Sequence, residues 1–186
     1  MPETFNRKIY TLPLLLKDLG FMLTHAPQIG RTMRALDHAF VEKIMTVVTA
    51  VNGCVYCAWF HAKQAVASGI SPEEVQNMLN LQFQADAAED EVPALLYAQH
   101  YTETNRHPDP EMVEKLTVTY GEEKAVQIQL VIRMITFGNL SGNTFDAFLS
   151  RLKGVKAPNS NAIFEFFFFL FSAPLLLPLR PVINKK

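Results

Sequence analysis

Between Leu12 and Ile135 the apolar residues recur three and four positions apart and almost never alternate, the period of helices rather than strands. The chain therefore reads as all-α. The spacing predicts a first helix over roughly 11–24, ending near Pro27 and Gly30. A second covers about 37–51, with Val41, Ile44, Val48 and Val51 as its stripe and Asn52-Gly53 as its stop. A third runs from Cys54 to Ser68, and Ser71-Pro72-Glu73-Glu74 opens a fourth with an N-cap, a proline at N1 and acids in the first turn. Further helices are expected over 91–105, 110–119 and 121–139. The 121–139 segment is apolar nearly all round and so is expected to be central. "GNLSGNTFD", residues 138–146, reads as a loop or helix break.

At 186 residues the chain fits one domain with a core that needs no disulfide or metal. Its net charge of −1 offers no basic field for nucleic acid. Two cysteines are too few for a secreted disulfide framework. The apolar run Leu12–Leu16 is interrupted by Lys17 and Asp18, too short for a signal peptide, so a reducing, cytoplasmic compartment is expected. There a Cys-x-x-Cys points to redox chemistry or metal binding rather than a permanent cross-link.

Both cysteines fall in "VNGCVYCAWFH", residues 51–61. At about 100° per residue Cys54, Cys57 and His61 share one helix face, which Ala58, Ala65 and Ser68 continue with small side chains. Cys54 stands at the helix N-terminus, where amides and the dipole favour a thiolate. Cys57 is four residues before His61, the spacing of facing side chains, and an imidazole can take a thiol proton near neutral pH. A thiolate at Cys57 could attack a peroxide oxygen, with Cys54 close enough to resolve the sulfenic acid as a disulfide. If the chain reverses at Asn52-Gly53, Glu42 and His61 are offset by about 4.5 Å along the helix axis, within contact range. A relay of Glu42, His61 and Cys57 follows; taken alone, Glu42, on a polar edge of its helix with Thr46 and Thr49, reads as a solvated surface residue.

The stretch "VNGCVYCAWFHAKQAVASGISPEEV" resembles the AhpD-like, carboxymuconolactone decarboxylase superfamily. Its redox branch carries Glu, eleven residues, Cys-x-x-Cys, three residues, His, and Glu42, Cys54, Cys57 and His61 fit each spacing. "SGISPEE" and, more weakly, "NLSGNTFD" also look like that family, and the resemblance spans roughly 35–150. It implies a multi-helical subunit with the motif on a helical hairpin, assembled as a homo-trimer or homo-hexamer. It implies peroxide reduction or exchange with protein disulfides, without a cofactor, and a dithiol protein or small thiol as reductant. By resemblance Cys57 forms the sulfenic acid, Cys54 is the partner thiol and proton donor, and His61 and Glu42 relay protons. Tyr56 stands where the family's best-known peroxidase has a histidine; a phenol can donate a hydrogen bond but is a poor base at neutral pH. The lactone-decarboxylating branch generally lacks the cysteine pair.

Two other readings compete. Zinc could be held by Cys54, Cys57, His61 and one of His100 or His107, although three ligands from one short helical segment make an awkward tetrahedron. Alternatively the chain is a non-enzymatic helical oligomer acting through its C-terminal tail. That tail, 161–186, follows a helical domain over 1–160. Its uncharged run from Phe166 to Leu179 is 14 residues with prolines at 174 and 178, short of the about 20 apolar residues of a membrane span. It is expected to pack on its own core or a neighbouring subunit; the alternatives are a membrane-surface anchor with Arg180, Lys185 and Lys186 at the interface and, last, a true span.

Overall fold

The computed structural model describes residues 4–180, and Lys185 and Lys186, the last two cations expected at an interface, lie outside them. Among the described residues there are seven α-helices and no strand. They are α1 (Leu12–Ala35), α2 (His38–Asn52), α3 (Val55–Ala67), α4 (Pro72–Leu79), α5 (Val92–Glu103), α6 (Pro110–Leu152) and α7 (Ala162–Leu176). Short 3-10 turns cover Phe83–Ala85 and Leu177–Leu179.

The punctuation works where its chemistry is local. The Asp37 carboxylate caps α2 by accepting from the amide of Phe40, and the Ser71 hydroxyl caps α4 by accepting from Glu74. Gly53 closes α2 in the left-handed region (φ 68°), its amide donating to the carbonyl of Thr49. α6 is two helical segments joined at Gly121, whose φ of 75° breaks the helical path between the two expected helices.

Three expectations need correction. The first helix does not end near Pro27 but continues to Ala35. Pro27 lies on the exposed side with Leu23, so the carbonyl its ring cannot bond faces water, while Thr32 and Met33 further along dock on the core. The polar edge Glu42, Thr46 and Thr49 is not solvated: all three are buried, because α3, α4, α5 and α6 surround α2. Residues 138–146 are not a break. They are an uninterrupted part of α6, and Asn139, Gly142, Asn143 and Thr144 are all fully buried.

The reason lies in how closely α6 approaches the start of α3. A Cβ added at Gly142 would meet the Cys54 sulfur at 2.6 Å and the Tyr56 ring at 3.3 Å. Asn143 donates its amide to the carbonyls of Asn52 (2.8 Å) and Lys8 (3.0 Å), and Asn139 donates to the Thr49 hydroxyl (3.0 Å). Side chains that read as loop formers are thus the groups that satisfy the buried C-terminal end of α2. With them, α6 contacts α1, α2, α3, α5 and α7 and forms the centre of the fold.

The tail forms α7, which runs helically through Pro174. One face packs on α6: Phe169 stacks on Phe145 (5.0 Å between centroids) and meets Phe148 (4.9 Å). Glu165, its lone charge, is fully buried against Arg151 at 2.7 Å. The opposite face, including Phe167, Phe171 and Leu175, is exposed. By length and composition Ala162–Leu179 is long and apolar enough to cross a membrane, with only 6% of it buried.

In α6, Gly138 has open space where a Cβ would be added. Gly138→Ala is expected to stabilise the protein by up to about 1 kcal/mol through helix propensity. Gly142→Ala should instead cost about 1–3 kcal/mol, because α6 and α3 must part or Cys54 must rotate. Chemical denaturation of the two variants reads this difference in sign.

Candidate active site

The site grows from the short connection Gly53-Cys54 between α2 and α3. Cys54 is the N-cap of α3, its sulfur accepting from the amide of Cys57 at 3.4 Å, and it is completely buried. Cys57, one turn into α3, is partly accessible. The two sulfurs are 2.8 Å apart and both cysteines are free thiols.

Their environments push the two thiols apart. The hydrogen bond with Cys57, reinforced by burial, raises the Cys54 thiol far above its ordinary value. Cys57 is lowered, first by the Cys54 S–H that it accepts, against burial, with help from the amide of Asn139. The helix N-terminus was expected to favour a thiolate at Cys54. It does not, because the hydrogen bond with Cys57, and then burial among Tyr56, Phe145 and the apolar residues of α7, outweigh the N-terminal amides. Cys54 is the held proton donor and Cys57 the thiolate-prone partner.

On the neighbouring faces of α2 and α3, Nδ1 of His61 lies 2.7 Å from Oε2 of Glu42, and both residues are buried. An ionised carboxylate only accepts, so Nδ1 carries the hydrogen and Nε2 is left as the ring's accepting nitrogen. Among the described residues no hydrogen bond joins His61 to Cys57; the Glu42–His61 link is formed and the His61–Cys57 link is left open. His38, which the sequence reading did not single out, places Nε2 3.8 Å from the other oxygen of Glu42.

Tyr56 is buried beside the thiols with its ring edge on Phe145, and its hydroxyl donates to Asp146 at 2.6 Å. Asp146 is in turn paired with Arg7 at 3.0 Å. Burial, followed by the bond to Asp146, raises the phenol well above its ordinary value. Tyr56 is therefore a neutral strut tying α3 to α6 and to the N-terminal segment.

The zinc reading does not find its fourth ligand at the thiols: His107 lines a separate cavity. His100 is turned to Asp109, with its Nε2 accepting from the Asp109 amide at 3.0 Å. Among the described residues no three His, Cys, Asp or Glu side chains are grouped so that they could hold a metal.

Residues 23–100 match the family model described as "Carboxymuconolactone decarboxylase family". That segment carries Glu42, Cys54, Cys57 and His61 and is similar to the AhpD-like superfamily. No curated protein and no solved structure matches the chain. That superfamily includes decarboxylases and alkylhydroperoxidases, so enzymatic activity is consistent with the match.

Asn139, Gly142, Asn143 and Asp146 lie beyond the matched segment, and the sequence reading missed their part in the site. The available signal was a cluster of Asn and Gly directly continuing a strongly apolar helix, a pattern compatible with close helix contact as well as with a break.

Removing the donor on Cys54 tests the asymmetry. The pH profile for alkylation of Cys57 is expected to have its midpoint below the ordinary thiol value of about 8.5. In Cys54→Ala the midpoint should move upward, since the protonated form of Cys57 no longer competes with a hydrogen-bonded thiolate. Peptide mapping after timed alkylation at each pH measures both.

Proposed function

We propose that this protein is a thiol-dependent oxidoreductase that uses Cys54 and Cys57 to reduce hydroperoxides or to exchange with protein disulfides. The observation that carries the reading is the pair of free sulfurs 2.8 Å apart, one buried as a donor and the other accessible and thiolate-prone.

In the first step the Cys57 thiol gives its proton to Nε2 of His61, one helical turn away, with Glu42 holding the ring. The thiolate attacks the terminal oxygen of ROOH; a sulfur–oxygen bond forms as the O–O bond breaks. The leaving alkoxide takes the proton back from His61 and departs as ROH. Cys54 then attacks the sulfenic sulfur, releasing water and forming the Cys54–Cys57 disulfide. An external dithiol protein or small thiol reduces that disulfide and completes the cycle. Attack of Cys57 on a protein disulfide follows the same route, with a mixed disulfide in place of the sulfenic acid.

Steady-state consumption of an organic hydroperoxide in the presence of a dithiol reductant tests this. Cys57→Ser should abolish turnover, and full activity in that variant would overturn the proposal. His61→Asn should lower the rate about 10²–10⁴-fold, the usual contribution of a positioned acid–base group. Glu42→Gln should fall between His61→Asn and the parent protein, because the ring keeps its place on α3 but loses its carboxylate partner.

A further inference from the structure

A second site lies away from the thiols. A cavity of about 650 Å³ opens between the N-terminal segment, the start of α1, the loop after α5 and the middle of α6. That size is typical of small-molecule pockets. Ile9, Leu14, Tyr101 and Leu140 give it an apolar wall.

Its charge is one-sided. Five cations line it, Arg7, Lys8, Lys17, Arg106 and Arg133, against the single carboxylate of Asp18. Arg7 is paired with Asp146, and Asp18 is shared between Arg106 (2.7 Å) and the Tyr10 hydroxyl (2.8 Å). Lys17 and Arg133 have no carboxylate partner among the described residues; Arg133 instead covers the Phe21 ring at 3.3 Å. The remaining head group, Lys8, is held below its ordinary value by burial and then by the charge of Arg106, with Glu103 opposing. One terminal nitrogen of Arg106, Nη2, is buried and makes no hydrogen bond among the described residues. Buried donors are normally satisfied, so an unbonded guanidinium nitrogen beside surplus positive charge marks a missing acceptor.

The backbone points to the same place. Of the four non-glycine residues with positive φ among those described, Asn105 (53°), Arg106 (71°) and Asn159 (55°) all line this cavity. One left-handed residue is enough to close α5, where the Arg106 amide donates to the Tyr101 carbonyl at 2.8 Å. The second, Arg106 itself, is not required by that cap. An arginine held in this region costs free energy, and such residues cluster at ligand sites.

We propose that this cavity binds a small organic anion, a carboxylate or phosphate monoester with an apolar body, whose head group is held by Lys17, Arg106 and Arg133. Guanidinium forks suit both head groups.

Calorimetric titration of the full chain with octanoate, octyl phosphate and, as the neutral control, octan-1-ol tests this at about 0.15 M salt, where distant surface charges are screened. At least one of the anions should bind saturably with one site per chain, about tenfold or more tighter than the alcohol. The arm that binds identifies the head group. Lys17→Glu, at an exposed position that leaves the fold intact, and Arg133→Gln should each weaken the anion severalfold or more. Lys153→Gln, outside the cavity, should leave binding unchanged. Equal binding of alcohol and anions, no saturable binding of either anion, or anion binding indifferent to Lys17→Glu would overturn the proposal.

Discussion

The contact between Gly142 of α6 and the sulfur of Cys54 is the constraint on which the rest of this structure depends. Only a residue without a Cβ lets the central helix come this near to the start of α3. At that separation Asn143 supplies a donor to the buried Asn52 carbonyl at the C-terminal end of α2, and Asn139 supplies one to the Thr49 hydroxyl. Asn52 closes the arrangement by donating to the Asn139 side chain at 3.1 Å. Packing and chemistry therefore share atoms. The approach that buries Cys54 and makes it a poor thiolate also brings the Asn139 amide to Cys57 and favours the thiolate there.

The apolar tail contributes to the same asymmetry. Phe168, Phe169, Ala173 and Leu176 of α7 join the cluster around Cys54, Tyr56 and Phe145, adding to the burial of that thiol. The Arg151–Glu165 pair anchors the helix by its lone charge, so the rest of its composition is free to be aromatic and aliphatic. Tyr56 belongs to this framework as well. With its hydroxyl committed to Asp146, it cannot serve as a base beside the thiols, and proton handling in the proposed reaction falls to His61.

Much of this was legible in the sequence, for physical reasons that differ by element. The Glu42–His61 contact follows from helix rise and one tight reversal at Gly53, both local properties, and it is formed at 2.7 Å. The caps at Asp37 and Ser71 are equally local. What the sequence could not reveal depends on partners far along the chain. Asn139 and Gly142 look like helix breakers until α2 and α3 are placed against them, and tertiary packing then overrides propensity. The same applies to Cys54. Its position at a helix N-terminus argued for a low pKa, whereas the hydrogen bond with Cys57, joined by burial among residues 145 and beyond, decides the opposite.

The central claim is that Cys57 is the attacking thiolate and Cys54 the donor that resolves it. It is tested most directly by treating the reduced protein with one equivalent of hydroperoxide and mapping the products by mass spectrometry. The expected products are a Cys54–Cys57 disulfide in the parent protein and a sulfenic acid trapped on Cys57 in Cys54→Ser. Two thiols left reduced, or a sulfenic acid formed on Cys54, would contradict it.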